Sequence, residues 1–264
     1  MKSKLPSLER FGFKFGRNGV HAARTMMFDE VCHLFDDLPE TASRADYTRE
    51  IVESNVLGKA TTSARKLTLG HLVDLYGLSP DTTIFRVFRH LWSVDVASQP
   101  ALALSMALAR DPLLRISLPF ILGKQVGETI ERKEVEDLLE SHFPQRFSPA
   151  SRKSFAQNLN GTWTRAGYLH GRSKKTRSSP TITPVNAAFN LLLGTLEGLT
   201  AQRLFTSTWA QLLVGSPSEL PDHVTSLALS AANRDLLVFR NAGGVMEVRF
   251  PGYLTPEEEQ WLHE

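Results

Sequence analysis

The chain has 264 residues, of which 42% are hydrophobic and 22% charged, a composition that supports a packed core and excludes a disordered or fibrous polymer. Its single cysteine, Cys32, excludes an internal disulfide framework and any paired-cysteine metal knuckle. The net charge of +2 conceals a partition: residues 141–196 hold eight of the 30 Lys and Arg and none of the 28 acids, so one basic segment sits on an otherwise acidic chain.

No apolar run approaches the ~20 residues that cross a bilayer. The longest, Ala101–Ala109 and Ile116–Leu122, are too short and are flanked by Arg and Asp. The amino-terminal MKSKLPSLERFGFKFG lacks the continuous apolar stretch of a secretory signal, which predicts a cytoplasmic protein with no membrane partner.

Within residues 1–20, Phe11, Phe13 and Phe15 alternate with Gly12, Lys14 and Gly16, the pattern of a short strand or a mobile arm. Helical spacing then runs from Ala22 to about Asp37 through Met26, Met27, Val31, Leu34 and Phe35. Further helices are predicted over about 45–57, broken at Gly58, and over Leu67–Tyr76, closed by Gly77. Ser79-Pro80-Asp81 is a helix start, and the helix behind it aligns Ile84, Phe85, Phe88, Leu91 and Trp92 on one stripe. Ser98-Gln99-Pro100 and Asp111-Pro112 open two more, and Thr129–His142 forms another around Val135, Leu138 and Leu139. Ser148-Pro149 opens a helix with Phe155, Leu159 and Trp163 at i, i+4 and i+8. Thr183-Pro184 opens one with Val185, Phe189, Leu192 and Leu196, and Ser218 caps a last one through about Arg234.

Two places have strand character. Residues 236–240 and 245–250 flank Asn241-Ala-Gly-Gly244, a hairpin signal, and Tyr168-Leu169 with Thr181-Ile182 would make a shorter pair around GRSKKTRSSP (171–180). The expected fold is mainly α: an N-terminal helical bundle followed by one or two winged-helix-like units with short β-hairpins. The expected divisions are an arm (1–20), a helical domain (21–125), a winged-helix-like DNA-binding unit (126–183), and a second such unit with the C-terminal hairpin (184–264).

Helix, loop, helix, strand, basic loop, strand is the order of a winged helix, whose second helix enters the major groove while the wing meets the phosphates. Arg152, Lys153 and Arg165 lie on the candidate recognition helix, and Arg172, Lys174, Lys175 and Arg177 in the candidate wing. Gln157 and Asn158 have the amides that pair with adenine edges. The competing reading makes Phe155, Leu159 and Trp163 plain core, the amides plain surface, and the basic loop a solvated turn. The coincidence of basic loop, basic helix and acid-free segment favours nucleic-acid contact.

Other chemistries find little footing. The eight histidines lack metal-ligand spacing, no phosphate-binding glycine loop occurs, and no cofactor or small-molecule substrate is expected. Pro221-Asp222 with Glu247-Val-Arg249 superficially has the spacing of a nuclease, but Arg249 stays protonated and cannot serve as its base. Cys32 reads as a buried structural thiol.

Two further stretches carry a family likeness. IVESNVLGKATTSARKLT (51–68) is similar to the amino-terminal segment of the BrxA proteins of bacteriophage-exclusion (BREX) defence systems. FSPASRKSFAQNLNGTWTRAGYL (147–169) with its basic loop resembles that family's central region, and AGGVMEVRF (242–250) fits its C-terminal end. The resemblance implies a small, helical, non-enzymatic DNA-binding protein of phage defence, whose N-terminal domain shares in DNA contact. The matching cations would be Lys59, Arg65 and Lys66. The expectation is therefore a binder of double-stranded DNA acting through phosphates, with other defence-system proteins as further partners. The rivals are a protein-interaction scaffold, favoured by the apolar 236–250 hairpin and the acidic 29–53 stretch, and an RNA binder.

Overall fold

A computed structural model describes residues 5–242 and 245–262. It shows a mainly helical protein with two small antiparallel sheets.

The amino-terminal segment is neither strand nor mobile arm. Leu5–Phe11 forms α1, and Phe11 and Phe13 are buried at 1% and 2% exposure. Phe13 meets Trp209, and the Lys14 N–H donates to Ala109 O, so Phe11 ends a helix and Phe13 and Phe15 follow in a packed irregular segment rather than a β-ladder. Residues 1–4 of that expectation lie outside the described residues.

A helical half follows: α2 (Phe28–Asp37), α3 (Arg44–Val52), α4 (Thr62–Tyr76), α5 (Thr83–Trp92) and α6 (Gln99–Arg110). The stripe on α5 is buried as its spacing requires, and Phe85, Phe88 and Trp92 cluster with Phe35 of α2. In α6 every residue from Ala101 to Arg110 is buried. Its alternating Ala and Leu let neighbouring helices approach on all sides, and burying each Leu contributes about 1.5–3 kcal/mol.

Next come α7 (Pro112–Gly123), β1 (Thr129–Ile130), α8 (Arg132–His142), α9 (Pro149–Arg165), β2 (Leu169–His170) and β3 (Lys175–Arg177). The strands pair antiparallel in the order β1-β3-β2. Thr129 and Ile130 oppose Thr176 and Lys175, and Leu169 and His170 oppose Arg177 and Thr176. This helix–strand–helix–helix–hairpin connectivity is that of a winged helix. It differs from the sequence expectation at two points. Thr129 begins a strand instead of a helix, and the returning strand is Lys175–Arg177 instead of Thr181-Ile182. The early return follows from Gly171, whose φ of +96° turns the chain sharply; a Cβ there would collide with Lys174 O.

The remainder comprises α10 (Pro184–Leu196), α11 (Ala201–Phe205), α12 (Thr208–Gln211), α13 (Asp222–Ala232), β4 (Val238–Ala242), β5 (Val245–Arg249) and α14 (Pro256–Trp261). Helix α10 is nearly all buried and packs against α5, α6 and α13. The hairpin β4–β5 forms where Asn241-Ala-Gly-Gly244 predicted it, although Gly243 and Gly244 lie outside the described residues. One continuous apolar cluster runs from Phe11 to Phe250. Among the described residues no helix is long and apolar enough to cross a membrane.

Candidate nucleic-acid interface

Helix α9 is set by its own sequence. Ser148 Oγ accepts the Ser151 N–H at 3.2 Å, and Pro149 occupies the first turn, where its missing N–H costs nothing. Ala156, Leu159 and Trp163 face the core, and Phe155 is half-buried against Phe147. The Trp163 indole N–H donates to Ser117 Oγ of α7 at 2.8 Å and its ring meets Tyr168 edge-on, which fixes the helix's rotation. Lys153, Ser154 and Gln157 are thereby left exposed in its first half. No acid occupies the first turn, so the positive end of the helix dipole is unopposed by a side chain of its own helix.

The predicted cations divide into two groups. Lys153, Arg172 and Lys174 are exposed and have no acidic partner among the described residues. The others are engaged. Arg152 is paired with Glu140 at the end of α8. Arg165 is paired with Asp29 of α2 and lies 4.6 Å from the centre of the Phe28 ring. Lys175 donates to Gly171 O at 2.6 Å, and partial burial moves its pKa down.

Arg177 is a correction. It is 1% exposed, with its guanidinium donating to Tyr168 O and Ser178 O and lying 5.4 Å from the Tyr168 ring centre. Burial moves its pKa down, and its Nε–H has no acceptor. It therefore braces the base of the hairpin and presents no charge to solvent. Replacing it with Ala should lower the melting temperature, measured calorimetrically, by removing packing and two bonds, while leaving any salt dependence of DNA binding unchanged.

Asn158 is half-buried and its amide donates to His21 O at 3.0 Å, so it serves the fold; Gln157 keeps a free amide face. The three N-terminal cations also divide. Lys59 pairs with Glu30 at 3.0 Å, Arg65 donates to Val52 O and Lys59 O, and only Lys66 is exposed without an acidic partner among the described residues.

The sequence therefore misstated the electrostatics in one respect: an acid-free segment is not an acid-free surface. Glu140 and Asp29 enter from outside 141–196 and neutralise two cations. The free charge that remains is concentrated at the amino half of α9 and the tip of the hairpin.

A buried network holds α9 to the rest of the molecule. His21 Nδ1 lies 2.8 Å from Asp111 Oδ2, and His21 Nε2 lies 2.8 Å from Thr162 Oγ1. The His21 N–H donates to Asp111 Oδ2, the Met26 N–H to Thr162 Oγ1, and the Leu113 and Leu114 N–H groups to Asp111 Oδ1. All three side chains are at most 1% exposed. Carboxylate, imidazole and hydroxyl stand in the order of a nucleophilic relay, but Thr162 Oγ1 has no route to solvent and already accepts a backbone bond. The network joins residues 19–26 to α7 and α9.

Among the described residues no group of three or more His, Cys, Asp or Glu is placed to hold a metal ion. Cys32 is half-buried, and burial pushes its thiol up to about 11, away from thiolate chemistry. A scan against protein-family models finds no match to this chain, and a search of curated proteins finds none either.

Proposed function

We propose that this protein binds double-stranded DNA without catalysing a reaction on it, through the winged-helix unit spanning α7 to β3. The exposed face of α9 enters the major groove and the 171–174 loop rests on the phosphates. The observation that carries this reading is the placement of Lys153, Arg172 and Lys174. They are the cations that a recognition helix and a wing would present, and they stand without acidic partners among the described residues. Gln157 is the one amide on α9 placed to touch a base edge, so binding should depend mainly on phosphates and only weakly on sequence. The likeness of residues 51–68, 147–169 and 242–250 to BrxA supports a role beside phage-defence genes.

Fluorescence anisotropy with a labelled duplex tests the reading, with unlabelled duplex RNA and duplex DNA as competitors. Efficient competition by DNA and poor competition by RNA is the expected outcome. The reverse order would favour an RNA binder and would remove groove entry by α9, because A-form RNA has a major groove too narrow for that helix.

One observation favours a second reading, as an interaction scaffold. A groove of about 470 Å³ opens between the C-terminal hairpin and α14, lined by Val238, Val248, Phe250, Leu254 and Leu262 with Arg240 and Arg249 at its edge. A scaffold alone would show no salt-sensitive duplex binding.

A further inference from the structure

We infer that Arg17 and Arg146 form a second phosphate clamp, at the amino end of α9, gripping the backbone strand across the groove from the wing; this rests on the DNA-binding reading above. The two residues are 129 positions apart in sequence, and neither has an acidic partner among the described residues.

The geometry begins with Arg146, three residues before α9. Its guanidinium donates to Arg17 O at 3.1 Å and to Asn18 Oδ1 at 2.6 Å. It also lies 5.0 Å from the ring centre of Phe143 and 4.9 Å from that of Phe147, so its position is held on two sides. Two of its five N–H donors are used in these bonds, which leaves the others for an anion. Arg17 is tied by its backbone alone, and its side chain is exposed.

The segment carrying Arg17 cannot drift away from α9. Four residues on, His21 is anchored through Asp111 and Thr162, and the Asn158 amide holds His21 O. From Arg10 to Phe28 the sequence contains no Asp or Glu, so this strip brings no acid of its own to the helix. The nearest acid on α8, Glu140, is occupied by Arg152 and by the Gln145 N–H.

The length of α9 explains why a second clamp is needed. Its 17 residues span about 25 Å, whereas the major groove is about 12 Å wide. A helix of that length crossing the groove reaches the phosphate rails on both sides. The hairpin that follows its carboxyl end supplies Arg172 and Lys174 to one rail. At the amino end the sequence offers Arg152 and Lys153, and Arg152 is taken by Glu140; Arg17 and Arg146 complete that side.

Salt titrations of duplex affinity with the full chain test this. Arg17→Gln should reduce the magnitude of the log K against log salt slope by about 0.9, one phosphate contact, and the Arg17→Gln/Arg146→Gln pair by about 1.8. Arg17→Lys should restore the wild-type slope, because a point charge suffices for a phosphate. Melting temperatures recorded alongside separate lost contact from lost fold for Arg146. If Arg17→Gln keeps the wild-type slope while Arg172→Glu/Lys174→Glu loses it, the second clamp is wrong and the wing reading stands. If the wild-type chain shows no salt-dependent binding, both are wrong.

Discussion

The Lys153→Glu/Arg172→Glu/Lys174→Glu variant is expected to bind duplex DNA on the order of 100-fold more weakly than the wild type at low salt, with an unchanged melting temperature. Each of these cations, if it neutralises a phosphate, releases a condensed counterion, and the slope of log K on log salt changes by about 0.9 per contact. Reversal replaces that gain with repulsion at the same place. Stability should hold because the three side chains are exposed and make no ion pair that the fold uses. Arg177 and Arg152 would be poor choices for the same experiment. The first is 1% exposed and the second is bound to Glu140, so their replacement mixes lost fold with lost contact. Retained affinity in the triple variant, by anisotropy, would remove the wing and the amino half of α9 from the interface.

Asp111→Ala is expected to cost about 3–5 kcal/mol of stability, a drop in melting temperature on the order of 10 °C. One carboxylate, 1% exposed, serves three purposes. Its Oδ1 caps α7 through the Leu113 and Leu114 N–H groups, while Oδ2 accepts from the His21 backbone and lies against the His21 ring. Removing it leaves those donors buried without an acceptor. Asp111→Asn keeps an oxygen for the cap and should cost less. The acid limb of the stability curve carries a second signature. Burial pushes the Asp111 carboxyl up, but the His21 charge and the bonds from His21 and Leu114 outweigh it, so it ends below its ordinary value of 3.8. The folded state therefore holds this proton more weakly than the unfolded chain. The resulting stability is full above the ordinary value and is lost as pH falls through the lower, folded one. Chemical denaturation below pH 4 should show that loss in the wild type and a flatter profile in Asp111→Asn. A neutral-pH cost below about 1 kcal/mol for Asp111→Ala would contradict the role assigned to the network.

Many of the helices were legible because their punctuation is local. Ser148-Pro149, Asp111-Pro112 and Thr183-Pro184 each begin a helix with the predicted cap, and the cap bonds involve residues two or three positions away. Thr255-Pro256 with Glu258 has the same form and begins α14, which the pattern reading passed over because the helix is only six residues long. Apolar spacing likewise placed Trp163 and Leu159 in the core.

The candidate interface was harder to read because its determinants are long-range. Arg165 and Asp29 are 136 positions apart, and Arg146 and Arg17 are 129. A composition window sees neither pair. Arg177 was misjudged for a different reason: its acceptors are backbone carbonyls, which every sequence has everywhere, and a buried arginine without an acid is uncommon. The amino-terminal aromatics were ambiguous since period two over five residues does not settle what the segment joins, and Phe11 ends a helix that Phe13 and Phe15 follow. What made it ordered was Ala109 and Trp209, far along the chain.

The most direct measurement is the affinity of the wild-type chain for a generic DNA duplex across a salt series. Contacts from Lys153, Arg172 and Lys174 alone predict a slope of log K on log salt near −2.7, and the addition of Arg17 and Arg146 predicts one near −4.5. A slope near zero, or no binding at low salt, would contradict DNA recognition by this winged helix.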